Sequence, residues 1–149
     1  MFPSKDRRIP SPDGRFEALL HAMGPTPRVF MRAGLSLAGL SFRDRAFACQ
    51  GVWSPCSRYF SIMEWCHDGA LAMPVSRLLL IDLQGKKECA VDRIESGLVE
   101  PLRLYDGKVR YVRIDLRAKA KRIIERPIGG SVIWTGMGDE SAAVLNTDR

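Results

Sequence analysis

Aromatic and aliphatic side chains are concentrated at residues 58–65, and this segment gives the clearest strand pattern in the chain. Its odd-numbered side chains include Tyr59, Ser61, Met63 and Trp65, and its even-numbered side chains include Phe60, Ile62 and Glu64. Successive side chains of a strand point to opposite faces of a sheet. Because both sets are rich in aromatic or aliphatic groups, we expect both faces of this strand to be largely covered.

The same reasoning predicts further strands at residues 77–83, 88–94, 99–105, 108–116 and 131–135. Asp106-Gly107 joins two of them and is a favoured pair for a tight hairpin turn. Residues 118–125 are compatible with either a short helix or a strand. Their Lys-Ala-Lys-Arg composition is typical of a short helix, whereas Arg-Ile-Ile-Glu is typical of a strand.

Residues 16–23 give two conflicting signals. Phe16, Leu19, Leu20 and Met23 have the spacing of an amphipathic helix. However, residues 11–16 repeat the pattern of residues 54–59, so the segment that begins at Phe16 corresponds to the strand that begins at Tyr59. We therefore favour a strand here and keep the helix as the alternative.

Together these elements predict a mainly β protein. We expect an antiparallel meander of hairpins that forms a twisted sheet or a small sandwich, with little helix. The chain has 149 residues, 46% of them apolar, which is enough for one core. We therefore expect a single β domain over residues 1–149, with residues 1–10 as an N-terminal extension and 139–149 as a flexible or short helical end.

The local repeat consists of Ser11-Pro12-Asp13-Gly14-Arg15-Phe16 and Ser54-Pro55-Cys56-Ser57-Arg58-Tyr59. With Val52-Trp53 before the second copy and residues 76–83 after it, the pattern resembles a β-propeller blade of the TolB-like or tryptophan-aspartate repeat type, and residues 106–111 give a weaker third echo. Propellers need about four blades to close, and this chain supplies about two to three. The resemblance implies an open sheet or sandwich with a binding surface rather than an activity.

Candidate chemistry is sparse. Cys66, His67 and Asp68 are adjacent, and adjacent side chains of an extended chain point to opposite faces, so they cannot form a triad together. The four cysteines lack the paired spacing of zinc motifs, and we interpret them as thiols, mostly buried. No phosphate-binding glycine motif is present. We predict no catalytic residue, metal site or cofactor, and a thiol- or metal-dependent enzyme is the least favoured of three hypotheses.

The positive net charge of the chain favours acidic partners. The formal net charge is +6, and basic residues crowd residues 103–126, where Tyr105 and Tyr111 could stack on bases. Acidic residues dilute this run, and strand-edge Lys and Arg also discourage aggregation. The most apolar run, residues 78–83, is far shorter than the ~20 residues of a membrane helix, and residues 1–10 lack the apolar stretch of a secretory signal. We expect a cytoplasmic protein with no membrane partner.

These observations predict a small non-enzymatic interaction module that binds an acidic surface of another protein. By analogy of size and character, a bacterial immunity-type inhibitor would fit. The alternative is a nucleic-acid-binding accessory protein that uses the basic strands, and a homo-oligomer stays open. Trp53 is expected to be structural, whereas Trp65 is either core or contact. The candidate partner-binding residues are Trp65, His67, Asp68, Arg77, Lys108, Arg110, Arg113 and Arg117.

Overall fold

The structure is a computed structural model that describes residues 6–25, 31–40, 42–66, 74–129 and 134–136. In chain order its strands are β1 (Arg7–Pro10), β2 (Glu17–Pro25), β3 (Met31–Leu37), β4 (Ala46–Trp53), β5 (Tyr59–Trp65), β6 (Ser76–Asp82), β7 (Lys87–Ile94), β8 (Gly97–Tyr105), β9 (Lys108–Asp115), β10 (Ala120–Pro127) and β11 (Thr135–Gly136). The described residues contain no helix, so none that could span a membrane is found among them. The predicted mainly β fold is confirmed.

Every strand pairs antiparallel with its neighbours. The larger sheet has eight strands in the order β1-β2-β3-β4-β5-β6-β7-β11, and the smaller sheet has the order β10-β9-β8. Consecutive strands are therefore adjacent almost throughout, which is the predicted meander. The smaller sheet packs through β8 against β4, β5 and β6.

Two hydrophobic cores lie on opposite faces of β5. Phe60 and Ile62 belong to the first core, which β2, β3, β4 and β6 also line, whereas Met63 and Trp65 belong to the second core, between the two sheets. All four side chains are buried. The prediction that both faces of this strand are covered is confirmed.

The larger sheet curls, so that β1 approaches β4 although the two strands are not paired. The indole Nε1 of Trp53 donates to the carbonyl of Ile9 at 2.9 Å, and the N–H of Asp13 donates to Ser57 Oγ at 3.1 Å. Trp53 also stacks on Phe16, with ring centroids 6.4 Å apart. These contacts close the first core and give Trp53 the structural role expected for it.

The two Ser-Pro segments form the same turn. Ser11 pairs with Phe16, and Ser54 pairs with Tyr59. In each pair the serine Oγ accepts a hydrogen bond from the N–H of the aromatic residue at 3.0 Å, and the serine N–H donates to the carbonyl of the aromatic residue at 2.9 Å. Gly14 and Ser57 occupy the equivalent position with φ of +75° and +63°. The third echo differs, because Asp106 and Gly107 form a two-residue hairpin turn between β8 and β9. The two Ser-Pro segments therefore share a turn, whereas the relation to β-propellers stays a prediction.

Several boundaries need correction or completion. Residues 7–10 are not an extension but the edge strand β1, because their backbone pairs with β2. Residues 16–23 lie mostly in β2, as favoured, and residues 118–125 resolve as strand β10. The predicted end at residues 139–149 lies outside the described residues, as does most of the strand predicted at 131–135.

Candidate functional site, an arginine-lined cavity

The larger sheet opens where β3 meets β4. These strands share a single register pair, Ala33 with Phe47, whereas β2 and β3 pair along most of their length. A cavity of about 850 Å³ lies at this opening, lined on one side by β2 and β3 and on the other by residues 42–46 and by β5, β6 and β7. We call it the arginine-lined cavity. Among the described residues, the charged groups on its wall are Arg32, Arg43, Arg45, Arg77, Arg93, Asp44 and Glu64.

Two of these arginines are fixed by one buried and one half-buried carboxylate. Glu64, only 6% exposed, accepts hydrogen bonds from Arg45 Nε at 2.7 Å and from Arg77 Nε at 2.6 Å. Arg45 also donates to both carboxylate oxygens of Glu88, at 2.7 and 2.9 Å. A buried carboxylate needs such partners, because desolvation of an unpaired charge is costly. The network therefore holds the wall of the cavity in one arrangement.

Arg45 is the centre of this network. Burial by itself lowers the pKa of its guanidinium, but hydrogen bonds to Glu88 and Glu64 outweigh burial and raise that pKa above its ordinary value. The guanidinium also lies 5.5 Å from the ring centres of both Phe42 and Phe47. Arg45 thus stays charged and fixed in place, and Glu64 and Glu88 balance its charge.

The candidate contacts between Trp65 and Arg77 have three different outcomes. Trp65 is 8% exposed, donates from Nε1 to the carbonyl of Met31 at 3.2 Å, and belongs to the second core while also lining the cavity. Arg77 lines the cavity within the network. His67 and Asp68 lie outside the described residues. The structure thus brings Trp65 and Arg77 to one site.

The candidates on the basic strands lie elsewhere. Lys108, Arg110 and Arg117 are exposed on the smaller sheet and the turn after it. Arg113 instead points toward the larger sheet, where its Nη1 donates to Asp92 Oδ1 at 2.8 Å. Tyr111 is fully buried and donates to the same Asp92, at 2.7 Å, so it cannot stack on a base as the sequence suggested. The basic run is therefore partly an inter-sheet contact.

The cysteines are less buried than expected. Cys89 is buried, Cys49 and Cys66 are half-buried, and Cys56 is exposed, so the expectation of mostly buried thiols is wrong. Burial raises the pKa of the Cys89 thiol to about 11 and also raises the pKa of Cys66. A hydrogen bond between Ser54 and Cys56 is the main reason why the pKa of Cys56 is lowered. In the described part of the chain, no three metal-binding side chains converge.

Sequence reasoning missed most of the cavity's charged wall, although it contained one usable signal. Glu64 falls on a strand whose two faces are both expected to be covered, and an interior carboxylate demands a cationic partner. The candidates nearby were Arg43, Arg45 and Arg77. Nothing local, however, identifies Glu88 or Arg32 as members of the same site, because the pairing of distant strands brings them there.

No protein-family model, no curated protein and no solved structure matches this chain. A function for this chain is therefore proposed from the chemistry of the arginine-lined cavity.

Proposed function

We propose that this chain is a non-enzymatic interaction module that binds an acidic segment of another protein in the arginine-lined cavity. One observation carries the proposal, namely a cavity of about 850 Å³ whose wall, over the described residues, has five arginines and two carboxylates. Arginine forks bind carboxylates bidentately, and complementary charge steers association. A bacterial immunity-type inhibitor is the specific form that we propose within this class.

The fixed wall favours tight recognition. Arg45 and Arg77 are already oriented by Glu64 and Glu88, so little side-chain entropy remains to be lost when a partner binds. Met23, which is 49% exposed, adds apolar surface to the same wall. A mixed apolar and cationic site suits an acidic segment that also contains apolar side chains.

The nucleic-acid alternative rests on the outer surface of the smaller sheet. Lys108, Arg110 and Arg117 are exposed there, and the Arg103 guanidinium lies 4.7 Å from the centre of the Tyr105 ring. The Tyr105 hydroxyl, however, already donates to Glu125, which places a carboxylate within this surface. We therefore rank this surface second to the cavity.

Co-purification with matched variants tests the proposal. The tagged chain is expressed in its native host with the neighbouring genes, cross-linked, and its partners are identified by mass spectrometry. Arg43→Gln with Arg93→Gln removes two charges from the cavity wall, whereas Lys108→Gln with Arg110→Gln removes two from the outer surface. We expect an acidic partner that is retained by the wild-type chain and the outer-surface variant and is lost by the cavity variant.

Other outcomes contradict the proposal. Recovery of the chain alone at every salt concentration, or equal retention of the partner by both double variants, would overturn it. Loss of binding only in the outer-surface variant, together with salt-dependent binding of single-stranded DNA or RNA, would establish the nucleic-acid alternative.

A further inference from the structure

Arg32 is a cavity arginine whose Nε has no hydrogen-bond acceptor among the described residues. Its neighbour Ala33 is 1% exposed in the first core, so strand alternation directs Arg32 to the opposite face, where it lines the cavity. Its Nε is buried and donates to no acceptor within the part of the chain that the structure describes. Buried donors are almost always hydrogen-bonded in folded proteins. The guanidinium of a cavity-lining arginine is therefore not held by an acceptor at Nε within the described residues, and this points to a ligand for the guanidinium.

Other arginines on the wall have carboxylates of their own. Arg45 and Arg77 share Glu64 and Glu88. Arg93 Nε lies 3.3 Å from Glu95 Oε1. An anion that approached these three would compete with an existing carboxylate, whereas the guanidinium of Arg32 has an Nε with no acceptor in the described residues.

The strand also leaves room beside Arg32. Gly34 is the next residue on the same face, and a Cβ built there would meet a single neighbouring atom, the Cβ of His21, at 3.9 Å. That distance is an ordinary van der Waals contact. The missing side chain therefore leaves space along β3 for a ligand group next to the guanidinium.

We infer that Arg32 is the anion-binding residue of the cavity and that it takes one side-chain carboxylate of the acidic partner. This inference rests on the proposed function and specifies its anchor. The guanidinium fork matches a planar carboxylate through two parallel hydrogen bonds. A phosphate group carries about −1.5 to −2 charges, which is more than one uncompensated arginine balances, and Glu64 and Asp44 share the wall. Charge balance therefore favours a carboxylate.

Fluorescence anisotropy with a labelled oligo-glutamate peptide at low salt tests the inference. We expect saturable binding to the wild-type chain and a loss of at least about tenfold in affinity for Arg32→Gln, as for the loss of a charge-assisted pair. Arg32→Lys keeps the charge but not the fork and should fall between them. Gly34→Val keeps every charge and fills the space beside Arg32, so it should weaken binding by a similar factor.

Controls separate this result from a general charge effect. Arg122→Gln removes one exposed charge on β10 and should change affinity by less than about twofold, because exposed charges act weakly and are screened. Urea unfolding of each variant verifies that the fold is retained. Oligo-glutamine of the same length should not bind.

Three outcomes would overturn the inference. They are no saturable binding of oligo-glutamate to the wild-type chain, equal losses for Arg32→Gln and Arg122→Gln, and tighter binding of a phosphoserine peptide than of oligo-glutamate. Each leaves the co-purification test of the proposed function intact, because that test reads a partner protein through Arg43 and Arg93.

Discussion

The two Ser-Pro turns have the same backbone hydrogen bonds but different surroundings. In the first turn, at residues 11–16, Arg15 pairs with Asp13 at the exposed surface. In the second, at residues 54–59, Arg58 occupies the equivalent position and pairs through Nε and Nη2, both at 2.9 Å, with Asp82, which is fully buried. The repeat thus specifies the turn, while burial decides how much the arginine contributes to stability.

Asp82→Asn should produce the largest difference between the two turns. Asp82 also accepts the N–H groups of Gln84 and Gly85, both at 3.1 Å, so the substitution weakens four hydrogen bonds to a fully buried carboxylate. We expect a loss of about 2–3 kcal/mol in the free energy of unfolding, as for a buried charged hydrogen-bond network. Urea denaturation followed by tryptophan fluorescence measures it.

Asp13→Asn is the matched control for this prediction. Asp13 accepts hydrogen bonds from Ser11 and from the N–H of Arg15, but water can replace these partners at the surface. Its urea midpoint should shift far less than that of Asp82→Asn. Equal shifts would show that burial does not distinguish the two turns.

Acid pH should separate the turns by a second route. Burial alone raises the pKa of Asp82, but hydrogen bonds from Arg58 and from the N–H of Gly85 outweigh it and hold that pKa below its ordinary value. The unfolded chain therefore binds a proton at higher pH than the folded chain does. The stabilisation is fully present above the ordinary aspartate pKa, about 3.9, and is lost as pH falls through the lower folded value.

Unfolding curves measured from neutral to acid pH test this. The difference in unfolding free energy between the wild-type chain and Asp82→Asn should shrink as pH falls below about 4, because protonated Asp82 no longer pairs with Arg58 as an anion. The pKa of Asp13 is also lowered, first by the N–H of Arg15, yet its carboxylate is exposed and solvent screens its interactions. A constant difference for Asp82→Asn across the whole range would contradict the assignment.

The fold was largely predictable because its determinants are local. The aromatic and aliphatic segment that ends at Trp65, the Asp106-Gly107 turn and the two Ser-Pro turns each lie within a few residues of sequence, and they predicted β5, the hairpin of β8 with β9, and β2. Strand β1 was missed, since Arg7–Pro10 has no alternation of its own and becomes a strand by pairing with β2.

The cavity was not predictable for the opposite reason. Arg45 and Glu88 are 43 positions apart; the pairing of β5 with β6 places Glu64 opposite Arg77, and Arg45 links Glu64 to Glu88. A run of like charges is visible in a sequence, whereas a set of paired arginines is not. The basic run at residues 103–126 therefore attracted attention, although the structure places the arginine-lined cavity elsewhere.

Exchanging the residues at the equivalent left-handed positions should give the smallest effects. Gly14→Ser introduces a side chain at φ +75°, where nothing lies within 4 Å of the new Cβ, so only the backbone cost of about 1 kcal/mol is expected. Ser57→Gly relieves the strain at φ +63° but loses the Oγ that accepts the N–H of Asp13, and glycine also gains entropy in the unfolded chain. These terms oppose each other, so the net change should stay below about 1 kcal/mol.

Ser57→Ala, which keeps the strain and loses the hydrogen bond, should be less stable than Ser57→Gly in urea. If Ser57→Gly proved the less stable of the two, the left-handed position would not be strained in the second turn, and the equivalence of the turns would not extend to their energetics.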